Sequence, residues 1–339
     1  MATTLRDIAR RAGVSVTTAS RIINGSPTGL PIRDETRAKV LSIAQELAYK
    51  PNFLARALRG SRSSLLGVIV RDISEPFFTQ VLVGVQRAAI ARQYRVFLGD
   101  VERQASTTID YGSMFEQSHA DGILIVGDME DDDLTEQWLL SKHRHIVGVT
   151  DRSNRRLIPG VYSDSESGAR IALEHLWALG HRQILCVSDP GINDGRIRAA
   201  TYQQFMREHG VDEAQIRVMM IFRSSEEAFQ AGQVIFAAAD RPTAIFAVND
   251  AIAIGLMQAA YQFGIAVPEQ ISIIGYDDID VARYIVPPLT TINQSGVEMG
   301  YTATNLLLDM IEQEADTSQV DDVILKPTLV IRQSTTKNS

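Results

Sequence analysis

Four polar side chains, Thr17, Thr18, Ser20 and Arg21, interrupt the apolar residues of the run "GVSVTTASRIING" between Gly13 and Gly25. On a helix from Val16 to Asn24 with Val16, Ala19, Ile22 and Ile23 turned inward, these four share the outer face. Small polar groups let a helix approach a major groove closely. Arg21 can then reach a phosphate, or a guanine edge in bidentate fashion. The plainer alternative is a three-helix bundle whose outer face is merely solvated. A second set of reactive groups follows apolar runs later in the chain: Arg71 and Asp72, Asp151, Asn249 and Asp250, Asp277 and Asp278. Carboxylates and amides suit polyhydroxyl ligands, because each hydroxyl both donates and accepts. Paired carboxylates also evoke hydrolysis or divalent-metal binding, and Asp277–Asp278 could equally be a solvated turn. No nucleophile elbow, phosphate loop or metal-spaced His/Cys cluster accompanies them, and the six histidines are scattered. The expectation is a non-enzyme with no cofactor and no metal.

The elements that must position these groups can be read from charge and periodicity. Residues 1–63 hold 11 Lys+Arg and 4 Asp+Glu, a balance of +7, against −15 for the remainder. A basic head on an acidic body suggests that the head meets a polyanion. Thr4, with Asp7 three residues on, begins a first helix in the manner of a capping box. Leu5, Ile8, Ala9 and Ala12 form its inner face. Gly13 ends it, and Ser15 caps the second helix. A third helix spans roughly Asp34 to Ala48, with Val40, Leu41, Ala44 and Leu47 as its stripe. Two short helices joined by a tight turn make a helix-turn-helix. Asn52 can cap a short further helix after Pro51, with Leu58 as a wedge for a minor-groove step, unless the segment is a plain linker.

From Leu65 onward, apolar runs alternate with amphipathic helices. "LLGVIV", "RVFLGD", "DGILIVG" and "HIVGVT" form one series; "QILCVSD", "IRVMMIF", "AIFAVND" and "ISIIGYD" form a second. This predicts two doubly wound parallel α/β subdomains, with a ligand beyond the carboxyl ends of the strands. Cys186 is the sole cysteine and reads as a small hydrophobe in a buried strand. No apolar run reaches the ~18 residues of a membrane span, and no secretory h-region opens the chain. The expected compartment is the reducing cytoplasm.

"TLRDIARRAGVSVTTASRIING", "PNFLARALRG", "ALGHRQI", "VND" and "GYDD…PPLTTI", in that order, resemble the LacI/GalR (lactose-repressor) family of transcription regulators. The resemblance implies an N-terminal three-helix headpiece at 1–50 and a hinge helix at 51–63. It implies a core like the type I periplasmic sugar-binding proteins, divided into 64–162 with 292–322 and 163–291 with 323–339. It also implies a homodimer on a pseudo-palindromic operator, read by Val16, Thr17 and Arg21. Thr4, Ser15, Thr18, Ser20, Asn24, Asn52, Ala55 and Arg56 would add DNA contacts, and Leu58 would intercalate. Phe77 and Phe78 would stack on an effector, or else belong to the core. Asp151, Arg198, Asn249 and Asp277 would hydrogen-bond it. Arg71 and Arg223 stand where the family often has a small residue and an aromatic one. If Arg71, Arg198 and Arg223 all face the cleft, a sugar acid or sugar phosphate is favoured; otherwise a neutral sugar. The loop before the third helix is about three residues longer than the family pattern, so Asp34 is expected to cap in place of a serine. A corepressor, a phosphocarrier protein pressing on the core, and a free-standing sugar-binding protein are the competing readings. No leucine heptad tail follows "QSTTKNS", which favours a dimer.

Overall fold

The computed structural model describes residues 4–24, 32–47, 49, 62–100, 119–127, 145–150, 158–222, 225–315 and 320–338. They divide into two units, Met1–Ser63 and Ser64–Ser339.

In the first unit, α1 (Leu5–Ala12), α2 (Val16–Asn24) and α3 (Asp34–Glu46) enclose a core of Ile8, Ala9, Ala12, Ala19, Ile22, Val40 and Ile43. The Asp7 N–H donates to the Thr4 hydroxyl at 3.4 Å, and the Thr4 N–H donates to the Asp7 carboxylate at 3.0 Å. That reciprocal box satisfies two donors that a helix start otherwise leaves bare. The hydroxyl and backbone bonds from Thr4 also hold the Asp7 carboxyl below its usual range. Gly13 takes φ 72° and closes α1. The Thr18 N–H donates to Ser15 Oγ at 3.0 Å, which starts α2 as expected. Three expectations are corrected. Val16 is 39% exposed and Leu41 47% exposed, because a core this small is filled by Ala19, Ile22, Val40 and Ile43. Asp34 is the first residue of α3 rather than its cap; Arg33 precedes it without a side-chain bond, and Asp34 and Glu35 instead face the positive end of the helix.

The second unit holds two parallel sheets. The first runs β2 (Arg95–Asp100), β1 (Leu65–Val70), β3 (Gly122–Val126), β4 (Ile146–Val149), β5 (Gly160–Ser163), β11 (Val323–Leu325). The second runs β7 (Arg217–Met220), β6 (Ile184–Ser188), β8 (Ala244–Ala247), β9 (Ser272–Ile274). Each adjacent pair is parallel. The inner strands β1, β3, β6 and β8 are buried on both faces and must be almost continuously apolar, whereas the edge strands β2, β7 and β11 are partly exposed. Cys186 lies fully buried in β6, where desolvation pushes its thiol up and keeps it unreactive. Residues 323–325 pair with β5, so this strand lies with the first sheet although 323–339 was expected with the second subdomain. A two-stranded antiparallel pair, β10 (Thr291–Asn293) and β12 (Thr328–Val330), makes a separate ladder.

The helices that matter for the site are α4 (Pro76–Ala91), α5 (Ser165–Ala178), α6 (Asn193–Glu208), α7 (Ser225–Ala237), α8 (Asp250–Gln262) and α9 (Gly296–Gln313). Helices α4 and α9 touch backbone to backbone. A Cβ on Gly84 would lie 2.0 Å from the Val297 carbonyl oxygen, and one on Gly300 would lie 2.0 Å from that of Val81. Both positions therefore exclude any side chain.

Candidate functional site

Parallel sheets place loops and helix starts together at the carboxyl ends of their strands, most openly where strand order reverses. In the first sheet that point lies between β1 and β3; in the second, between β6 and β8. A cavity of about 40 Å³ lies there. Arg71 enters it from the end of β1, Thr150 from the end of β4, and Glu75, Phe77 and Phe78 from the start of α4. Ile192, Asn193, Asp194 and Arg198 come from the start of α6, Asn249 from the start of α8, Asp277 from the loop after β9, and Gln294 from the end of β10.

Arg198 is the organising group. It is 2% exposed, and Nη1 donates to the Val248 carbonyl at 2.7 Å. Nη2 donates to Gln294 Oε1 at 3.1 Å and to Ser165 Oγ at 3.3 Å. Asp194 and Asp277 lie 3.6 and 3.7 Å away. Its flat face rests on Tyr276, with Cζ 3.6 Å from the ring centroid. Asp277 accepts a short bond from the Gln294 amide. Burial, despite the Arg198 charge, pushes the Asp277 carboxyl well above its ordinary range. Asp277 and Asp278 take φ 125° and 55°, conformations costly for side-chain-bearing residues. Surrounding bonds hold them there. The Asp277 N–H donates to the Ile292 carbonyl at 2.8 Å, while Asn293 Nδ2 at 2.7 Å and the Arg332 guanidinium donate to Asp278. The solvated-turn alternative is thereby excluded: Asp277 is 4% and Asp278 7% exposed.

Asp250 lies beneath this loop, fully buried, and accepts the Thr291 hydroxyl at 2.6 Å and the Ile279 N–H at 2.9 Å. Asp72 instead accepts from its own turn, at Ser74. Asn249 caps α8, its Oδ1 accepting the Ile252 N–H at 2.8 Å. Phe77 and Phe78 line the cavity and also belong to the core.

Of the expected effector residues, the cavity gathers Arg71, Phe77, Phe78, Arg198, Asn249 and Asp277. Asp151 and Arg223 lie outside the described residues. Arg198 is occupied by carboxylates and an amide, and Glu75, Asp194 and Asp277 share the cavity with Arg71. Sequence reasoning missed Glu75, Thr150, Ile192, Asn193, Asp194 and Gln294. Asn193 and Asp194 open a helix soon after a predicted strand, where a polar residue is read as an ordinary cap.

In the first unit, α2 exposes Val16 and Thr17, while Thr18, Ser20 and Arg21 are half-buried along the same helix. Ser15 and Thr18 share a hydroxyl bond of 2.8 Å. Thr4 is exposed at the start of α1. The side chain of Asn24, and all of Asn52, Ala55, Arg56 and Leu58, fall outside the described residues. No described helix is long and apolar enough to cross a membrane, and no described His, Cys, Asp and Glu cluster could hold a metal ion.

Residues 4–52 match the family model for bacterial regulatory proteins of the lacI family, and residues 173–335 match a periplasmic binding protein-like domain. The chain is 33% identical over 337 residues to the HTH-type transcriptional repressor PurR of Erwinia tasmaniensis, spanning 98% of this chain and 96% of that protein. It is 34% identical over 342 residues to the HTH-type transcriptional regulator DegA of Bacillus subtilis, spanning 99% and 98%. Among solved structures, the lac repressor dimer bound to operator and the anti-inducer ONPF superposes with a TM-score of 0.86 at 28% identity, covering 99% of this chain and 100% of that one. A LacI family transcriptional regulator from Enterococcus faecium with bound ribose gives a TM-score of 0.71 at 27% identity, covering 81% and 100%.

Proposed function

The chain belongs to the lacI family of bacterial regulatory proteins, and we propose that it represses genes of carbohydrate metabolism from a pseudo-palindromic operator, as a cytoplasmic homodimer released or recruited by a small polyhydroxyl effector. It is a transcriptional repressor of that family with a DNA-binding and a ligand-binding unit, not an enzyme. The observation that supports the effector reading is the cavity around Arg198. A buried guanidinium, two carboxylates and an amide converge on it beside two aromatic rings. Such a wall offers both donors and acceptors, as a sugar's hydroxyls demand. The DNA reading is supported by the +7 balance of residues 1–63 and the outward Thr17 of α2.

The effector changes DNA affinity only by its differential affinity for two states of the core, a coupling of about 1–3 kcal/mol. The hinge around Leu58 would carry that signal, folding only where two copies meet on the operator. Selection of bound duplexes from random DNA, repeated with a panel of neutral and acidic sugars, tests the whole reading. The expected result is a pseudo-palindromic site whose recovery changes with at least one sugar. Recovery of no preferred duplex at low ionic strength overturns the repressor function.

A further inference from the structure

We propose that Arg71 determines effector specificity: lying over Phe78, it closes that ring's flat face to planar ligands and leaves the cavity to a compact, non-planar polyhydroxyl molecule. This inference rests on the effector reading above and narrows the ligand class for the same cavity.

Arg71 leaves the end of β1 and is 8% exposed, with its guanidinium carbon 5.0 Å from the centroid of Phe78. That distance is within the reach of a cation–π contact. The backbone is shaped around this stack. At Gly127, just past the end of neighbouring β3, φ is 93°, and an added Cβ would lie 2.9 Å from Phe78 Cζ and 3.0 Å from Arg71 Cβ. A side chain at 127 would push the pair apart, so the stack is a seated feature rather than a wandering surface arm. The second ring offers no replacement platform. Phe77 is tilted 52° from Phe78 at 6.2 Å between centroids, so the two cannot present one flat floor.

Size points the same way. The cavity of about 40 Å³ is already narrowed by the seated Arg71 side chain, which lines it together with Phe78. The remaining wall is polar and mixed in sign, with Glu75, Asp194 and Asp277 against Arg71 and Arg198. A heteroaromatic base or an aryl group needs an uncovered ring face to stack on. A sugar ring needs alternating donors and acceptors, which this wall supplies.

The test pairs probes that differ only in a planar group. Methyl and p-nitrophenyl β-glycosides of glucose and galactose, together with free ribose, galactose and gluconate, are titrated calorimetrically into the full-length wild type, Arg71→Ser and Arg71→Gln. The wild type should bind at least one free sugar and hold p-nitrophenyl glycosides no tighter than methyl ones. Arg71→Ser should raise the aryl-to-methyl affinity ratio at least tenfold. Arg71→Gln, which keeps a polar chain of similar reach, should raise it at least threefold and stands in if the serine variant does not fold. A ratio unchanged within twofold in the folded variants, or an aryl preference already present in the wild type, overturns the inference and leaves the effector reading intact. Failure of the wild type and both variants to bind any sugar, while still binding operator, overturns both.

Discussion

The Arg198 guanidinium lies 3.6 Å above the ring of Tyr276, and through Gln294 it reaches the end of β10. One side chain thus joins α6, the loop after β9 and the β10 ladder. Removing it leaves the buried Val248 carbonyl, Ser165 hydroxyl and Gln294 amide without their shared donor, a loss of about 1–3 kcal/mol for buried groups left unsatisfied. Arg198→Ala should lose that much in urea unfolding of the core, and its operator affinity should become indifferent to every effector. Arg198→Lys keeps the charge but not the fork, and should fall between. A loss below about 1 kcal/mol would show that the cluster does not hold the core together.

Asp250 gives the core a pH dependence of predictable sign. Burial pushes its carboxyl up to about 7, against an ordinary value near 4. Between those pH values the folded chain holds a proton that the unfolded chain has released. Stability therefore falls as pH rises through that window. Asp277, raised by burial, acts in the same direction. His175 and His181, whose pKa burial lowers, act oppositely: their stability contribution is lost as pH falls below about 6.5. Asp250→Asn removes the first effect and, by taking away a neighbouring negative charge, also reduces the upward push on Asp277. From pH 5 to 7 the wild type should lose about 2 kcal/mol relative to the variant, read from paired denaturation curves. Parallel curves would reject the assignment.

Leu58 should matter only where DNA is specific. Leu58→Ala is expected to weaken operator binding at least tenfold at fixed salt while leaving random duplex unaffected. Equal losses for both would remove the wedge role.

Arg21 and salt separate base reading from charge. Operator affinity should fall steeply with salt, at a slope of about −0.9 per neutralised phosphate. Arg21→Ala should cost about 1–3 kcal/mol and broaden the recovered site at one position in each half. A uniform loss across sequences, with a flatter slope, would make Arg21 a phosphate contact instead.

Much of the architecture was legible because buried parallel strands leave unbroken apolar runs such as "LLGVIV" and "GILIVG". Arg71, Asn249 and Asp277 were legible as strand-end groups. Glu75, Asn193 and Asp194 were not, because a polar residue at a helix start looks like an ordinary cap until the opposite wall is known. Gln294 sits in a crossover with no periodicity of its own. The pairing of the cavity's arginine was not legible: Arg198 is engaged by Asp194 and Asp277, residues 4 and 79 positions away, and pairing across such spans leaves no trace in composition. Val16 and Leu41 show the limit of helical stripes: in a very small core, the edge of the apolar face stays wet.

Helix α4 carries Phe77 and Phe78 in its first turn, donates from Gln80 to the Asp278 carbonyl at 2.8 Å, and meets α9 at Gly84 with no intervening side chain. Side chains are the springs of a packed interface, and this contact has none. A nudge at the aromatic end would therefore find no soft layer at Gly84 to absorb it and would be carried along α4 towards Ile90, about 20 Å further along its axis.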